Sequence, residues 1–203
     1  MNTTPLTAQL AALPGVQVRE TEHASVGYDL SVTLPESTLL AAVTLMDEAG
    51  YFLEGMTGVD WLGECEALRK EAEAKAKKAA EAAAASAAAS GTADAPTAAD
   101  AADTVNAAAA ESSTPASIPQ EDELEVVYDF NRFSARHRVC LRVRTPRSNP
   151  EIHTVAEIYP IAHWHEREIH EFFGIVFIGH PYLIPLLLPE DAEYHPLLKD
   201  YSA

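Results

Sequence analysis

The chain has 203 residues, enough for one domain with an appended segment. It carries 31 Asp and Glu against 14 Lys and Arg, a formal net charge of −17, so nucleic-acid phosphates are repelled unless a strong local basic patch exists. Two cysteines, Cys65 and Cys140, are too few for the four ligands of an iron–sulfur cluster and read as reduced thiols, not a disulfide framework.

The opening MNTTPLTAQL has no basic stretch leading into an apolar one, so no secretion signal is expected. Leu6, Leu10 and Leu13 predict a short amphipathic helix before Pro14-Gly15. Val16 and Val18, then Val26, Tyr28, Leu30 and Val32, alternate with polar residues and predict strands. Pro35 and Glu36 open a helix with Leu39, Leu40, Val43 and Met46 on one face, closed by Gly50. Tyr51 to Trp61 reads as a further strand, so residues 1–63 form the first part of a domain.

Residues 64–120 differ from everything else, with about two dozen alanines and few large side chains. Such a segment cannot bury enough apolar area to offset the entropy of ordering. It is expected to be an inserted linker, helical near its start and disordered later. Residues 121–174 resume the domain. Leu124, Val126, Tyr128 and Phe130 alternate, as do Val139, Leu141 and Val143, predicting a hairpin. The other face of its second strand carries Arg138, Arg142 and Arg144, with Arg136 and Arg147 nearby. This basic cluster lacks the aromatic residues of a single-strand nucleic-acid surface and reads as a solvated or partner-facing side. Ile152, Val155 and Ile158 predict a helix ended by Pro160, and a second helix runs to Phe173, stopped by Gly174, with Ile169, Phe172 and Phe173 as its buried side. Residues 175–203 read as an extended, proline-marked tail laid across another surface. Its most apolar run, Tyr182 to Leu188, is too short to cross a bilayer and is broken by Pro185. The fold class is α+β: a small, mostly antiparallel sheet with helices on one side, plus the tail and the alanine-rich insertion.

The stretch HWHEREIHEFFG, from His163 to Gly174, resembles a zinc-protease helix at first sight. Two helical zinc histidines need a spacing of four. His165 and His170 are five apart, about 140° around a helix, so an unbroken helix cannot bring both to one ion. A metal-dependent hydrolase built on His165, Glu166 and His170 is therefore a distant alternative, as is an adaptor acting through the alanine-rich arm.

HWHEREIHEFFGI, followed by Gly179-His180-Pro181, LLPED and HPLLKDY, resembles the 30 kDa subunit of respiratory complex I and the equivalent subunit of energy-converting [NiFe] hydrogenases. The match is Glu166, Arg167, Glu168, Glu171, Phe172, Phe173, Gly174, Gly179, His180 and Pro181, then His195, Pro196, Lys199 and Asp200. Leu198 and Ile184 stand where that family usually has arginines. The resemblance implies a non-catalytic structural subunit of a peripheral arm, with no cofactor or metal of its own and no catalytic residues. Its implied partners are a hydrogenase-like large subunit and an iron–sulfur small subunit, which hold the iron–sulfur clusters and, in the hydrogenases, nickel–iron. Its implied place is the cytoplasmic side of the cell membrane, attached only through the complex. A further expectation is that Arg167 pairs with Glu171 one helical turn on, and that Glu166 and Glu168 meet other groups at the root of the tail.

Overall fold

A computed structural model describes residues 5–72, 74 and 121–202. The chain separates into two units, residues 1–62 with 121–203, and residues 63–120. Within the second unit a helix runs from residue 64 to 72, supported by a Lys70–Glu66 pair at 2.6 Å. The rest of the expected linker lies outside the described residues.

The first unit is built on five strands: β1 (Gln17–Glu20), β2 (Leu30–Leu34), β3 (Phe52–Asp60), β4 (Glu123–Arg132) and β5 (His137–Pro146). Their order across the sheet is β1-β2-β5-β4-β3. All neighbours are antiparallel except β2 and β5, which run parallel. Alternation decides which side chains are buried. Directly paired residues share a face, so Val32, Leu141, Tyr128 and Met56 form one apolar row across the sheet, flanked by Leu34, Val143 and Val126. These residues join one core with Leu10 of α1 (Leu6–Ala11) and with Leu39, Ala42, Val43 and Met46 of α3 (Leu39–Glu48). Leu40, expected on that face, points away and is exposed, because it sits about 100° around the helix from Leu39.

Two expected elements differ. Val26 does not belong to a strand. It ends the four-residue helix α2 (His23–Val26), and β2 starts only at Leu30. The helix expected over Ile152–Ile158 is instead a strand, β6 (Glu151–His153), followed by turns in which the Tyr159 N–H donates to the Val155 carbonyl. Ile152 and Val155 are both buried, and a strand leading into a turn satisfies that three-residue spacing as well as a helix would. β6 pairs in parallel with β7 (Val176–Ile178), so the first residues of the stretch read as tail are a strand, with Ile175 and Phe177 in the core.

Between these strands lies α4 (Ala162–Phe173). It packs against β3 at a point that only glycine permits. A Cβ on Gly58 would lie 2.5 Å from the Phe173 ring.

Candidate functional site

Sequence pattern predicts a wet, charged outer face for α4 and an apolar buried one. The structure instead buries three charged residues of this helix, Glu166, Arg167 and Glu171, together with Ala162 and Ile169, while Phe172 and Phe173 are only half-buried. Charges leave water only when paired or fully hydrogen-bonded, and each of these three has its partners in the segment that precedes or follows the helix.

Glu166 is fully buried. It accepts the Val155 N–H at 2.7 Å and the Thr154 hydroxyl, so it ties the helix to the turn after β6. Burial pushes its carboxyl up to about 7, against the lowering effect of those two hydrogen bonds. His180, at the root of the tail, returns to the same place. Its Nε2 lies 4.0 Å from Glu166 and 3.3 Å from the His163 carbonyl, and its ring stacks on His163 at 4.6 Å. Burial lowers the His180 pKa as well. Both shifts favour neutral forms, and 4.0 Å exceeds hydrogen-bond reach, so the two groups lie side by side without a hydrogen bond between them.

Arg167 and Glu171 do not form the expected pair with each other. Standing one turn apart, they grip the backbone of the tail. Arg167 donates from Nε to the Ile184 carbonyl and from Nη2 to the Pro185 carbonyl, both at 2.9 Å. Its guanidinium also lies over the rings of Trp164 and Tyr182, 5.6 and 5.5 Å from their centroids. Glu171 accepts three successive N–H groups, those of Leu186 at 2.7 Å, Leu187 at 3.0 Å and Leu188 at 3.1 Å. The cation takes carbonyls and the anion takes amides, so every peptide unit from Ile184 to Leu188 is held by charge-assisted bonds without use of a tail side chain.

The far end of the tail is fixed twice more. The Glu171 carbonyl meets His195 Nδ1 at 2.9 Å, and the Leu197 N–H donates to the Phe172 carbonyl. Gly174, left-handed with φ 74°, admits this return: a Cβ there would lie 2.8 Å from the His195 ring. Beyond it the Lys199 N–H donates to Asp60 at 2.9 Å. Arg147 bridges Asp60, at 3.3 Å, and Asp200, at 2.5 Å.

The predicted residues therefore divide. Glu166, Arg167, Glu171, Gly174, His180 and His195 come together along one seam, while Lys199 takes part through its N–H and Asp200 through Arg147. Glu168, Gly179, Pro181 and Pro196 do not join the hydrogen bonding of this seam. Gly179 and Pro181 line a hollow beside His163 and Glu157, and among the described residues no hydrogen bond or ion pair involves the Glu168 side chain. Sequence reasoning missed Thr154 and Asp60, and placed Arg147 in the basic strand cluster rather than at the tail. Asp60 had a visible signal: it continues the Met56, Gly58 alternation, which puts a carboxylate on the core-facing side at 4% exposure and so demands partners. Among the described residues no three His, Cys, Asp or Glu side chains converge as a metal set, and no helix is long and apolar enough to cross a membrane.

A family model described as the 30 kDa subunit of the respiratory-chain NADH dehydrogenase matches residues 32–203. The chain is similar to an NADH-quinone oxidoreductase subunit from Roseiflexus castenholzii, 49% identical over 81 residues that make up 40% of this chain and 47% of the relative. It is also similar to an F420H2 dehydrogenase subunit from Methanosarcina mazei, 47% identical over 86 residues, 41% of this chain and 54% of the relative. The matched part thus spans about half the length of these relatives. Among solved structures, a chain of an archaeal membrane-bound sulfane sulfur reductase shares the fold, with a TM-score of 0.58 at 19% identity over 95% of this chain and 81% of that one.

Proposed function

The chain belongs to the family of the 30 kDa subunit of the respiratory-chain NADH dehydrogenase, and from that premise we propose that it is a non-catalytic structural subunit in the peripheral arm of a complex I-type oxidoreductase. It docks on a hydrogenase-like large subunit and the adjacent iron–sulfur small subunit, on the cytoplasmic side of the membrane, and reaches the membrane only through them. The redox centres belong to those partners. Subunits of this type are named for NADH and for F420H2 enzymes alike, so the donor is set elsewhere in the complex.

One observation carries this reading. The charged signature of α4 is spent on holding the chain's own tail, and what the tail then presents outward is a set of large apolar and aromatic side chains: Tyr182, Leu187, Tyr194, Leu197 and Tyr201, each 40–66% exposed. Because the backbone is already fixed, docking through these side chains loses little conformational entropy, which favours a standing scaffold over an arm that folds on contact.

The test is co-purification of the tagged full-length chain. The expected result is recovery of a large subunit and an iron–sulfur small subunit in equal amounts with it. A polypeptide that, purified alone, holds a redox centre or turns over a substrate would overturn the reading. Nickel-ligating cysteines in the recovered large subunit would assign the complex to the hydrogenase type, and their absence to the quinone reductases.

A further inference from the structure

The end of the sheet away from Asp60 carries a different kind of surface. β4 and β5 are joined there by residues 133–136, a tight loop in which the Ala135 N–H donates to the Arg132 carbonyl and the Arg136 N–H to the Phe133 carbonyl. Arg136 holds φ 49°, the one residue other than glycine at positive φ among those described. A hairpin ordinarily places glycine or asparagine at such a position, and a side chain kept there against backbone preference is a reason to look for a use. Phe133, in the same loop, is 76% exposed, the most exposed of the large apolar side chains described, yet its ring packs at a tilt against Phe52, with centroids 4.8 Å apart. Arg132 lies over Tyr51, whose hydroxyl is bonded to His137 at 2.9 Å. A hollow of about 240 Å³ opens between His23, Asn131, Phe133, Arg136 and Arg138.

The charge at this tip runs against the rest of the molecule. Arg138 is matched by Glu54, and His23 by Asp29. No carboxylate is paired with Arg132 or Arg136 among the described residues, in a chain whose net charge is −17. An exposed, pre-oriented aromatic ring flanked by two arginines without carboxylate partners has the composition of an interface hot spot.

We propose that the β4–β5 tip is a second docking surface, separate from the tail, for an acidic protein surface with an apolar socket on the complex that this chain joins. Phe133 enters the socket. Arg132 and Arg136 face carboxylates at its rim, and Asn131 and Arg138 line the side of the contact. An acidic partner is repelled by most of this chain, so the tip also decides which way round the two meet. This proposal rests on the reading of the chain as a complex subunit.

The experiment measures association of the full-length chain with the complex purified without it, at low and at high salt. Arg132→Glu combined with Arg136→Glu lowers the association rate about tenfold or more at low salt and flattens its salt dependence. Phe133→Ser leaves the association rate nearly unchanged and speeds dissociation about tenfold. Arg136→Gly separates docking from folding. It relieves the backbone, so the melting temperature holds or rises, while association slows severalfold. If the wild-type chain binds and all three variants bind with wild-type rates, the tip proposal fails and the subunit reading stands. If the wild-type chain does not bind at all, the subunit reading fails and takes the tip with it. Sedimentation with phosphatidylglycerol vesicles that depends on the same three residues would overturn the protein partner in favour of a lipid surface.

Discussion

Two regions of this molecule are made from the same two residue types and behave differently. On the open face of the sheet, Arg138 meets Glu54 at 2.8 Å, Arg144 meets Glu123 at 3.3 Å, and Arg142 and Arg144 share Glu125 at 3.6 Å. Along the seam between α4 and the tail, Arg167 and Glu171 pass each other by and bind peptide groups instead. The first arrangement is wet at its edge, where the side chains of Arg138 and Glu54 are 37% and 40% exposed, although Glu125, shared by Arg142 and Arg144, is buried. The second is dry, with Arg167 at 8% and Glu171 at 4% exposure. Charge identity sets what can pair. Burial sets what the pairing is worth, because a wet pair exchanges one set of hydrogen bonds for another and a dry group has no such exchange.

The contrast breaks most visibly at Arg167. Arg167→Ala strips the Ile184 and Pro185 carbonyls of their charged donor in a dry seam. The expected loss is about 3 kcal/mol of unfolding free energy, from two charge-assisted hydrogen bonds, read as a lowered denaturation midpoint, and residues 179–203 become open to limited proteolysis. A wild-type midpoint and cleavage pattern would mean that the seam is no drier in effect than the sheet face. Glu166 sharpens the comparison through pH. Its folded-state carboxyl is raised to about 7 from 4.5, so the protonated form is favoured by folding. Stability from this group is fully present below about pH 4.5 and is lost as pH rises through about 7, a swing on the order of 3 kcal/mol. Glu166→Gln should flatten that stretch of the stability–pH curve, and a slope unchanged in the variant would assign the titration to another group. Gly58→Ala comes next, since its Cβ would force Phe173 off the sheet. A loss of about 1–3 kcal/mol is expected, and Gly58→Ala combined with Phe173→Leu should recover part of it in the same melting assay. Smallest is Glu54→Ala on the open face, with an expected change under about 1 kcal/mol that shrinks further in high salt.

Much of the architecture was legible because alternation is a strong signal. The rows through Tyr128, Leu141 and Val32 followed from period two, and the signature from Glu166 to His195 could be picked out by spacing and resemblance. What failed to show was direction. Sequence placed Arg167 and Glu171 one turn apart, and the local rule for such a pair is mutual attraction. The rule was overridden because the tail arrives between them carrying unpaired amides and carbonyls, which no local pattern announces. Ile152 and Val155 misled for a related reason: a strand entering a turn buries the same positions as a helix would. Phe172 and Phe173 looked like the buried side because they are apolar, yet the residues buried deepest on α4 include its charged ones.

The grip on residues 184–188 touches only main-chain atoms. It therefore reads no letters. Isoleucine where relatives are expected to carry arginine at position 184 leaves the carbonyl that Arg167 holds untouched, and side-chain truncation anywhere in the strip would leave the hold intact. Imino acids alone would be rejected, at 186, 187 and 188, where each N–H is claimed, while Pro185 takes part only through its carbonyl and Pro189 sits just outside. The strip is thus free to change its outward chemistry without ever renegotiating its attachment.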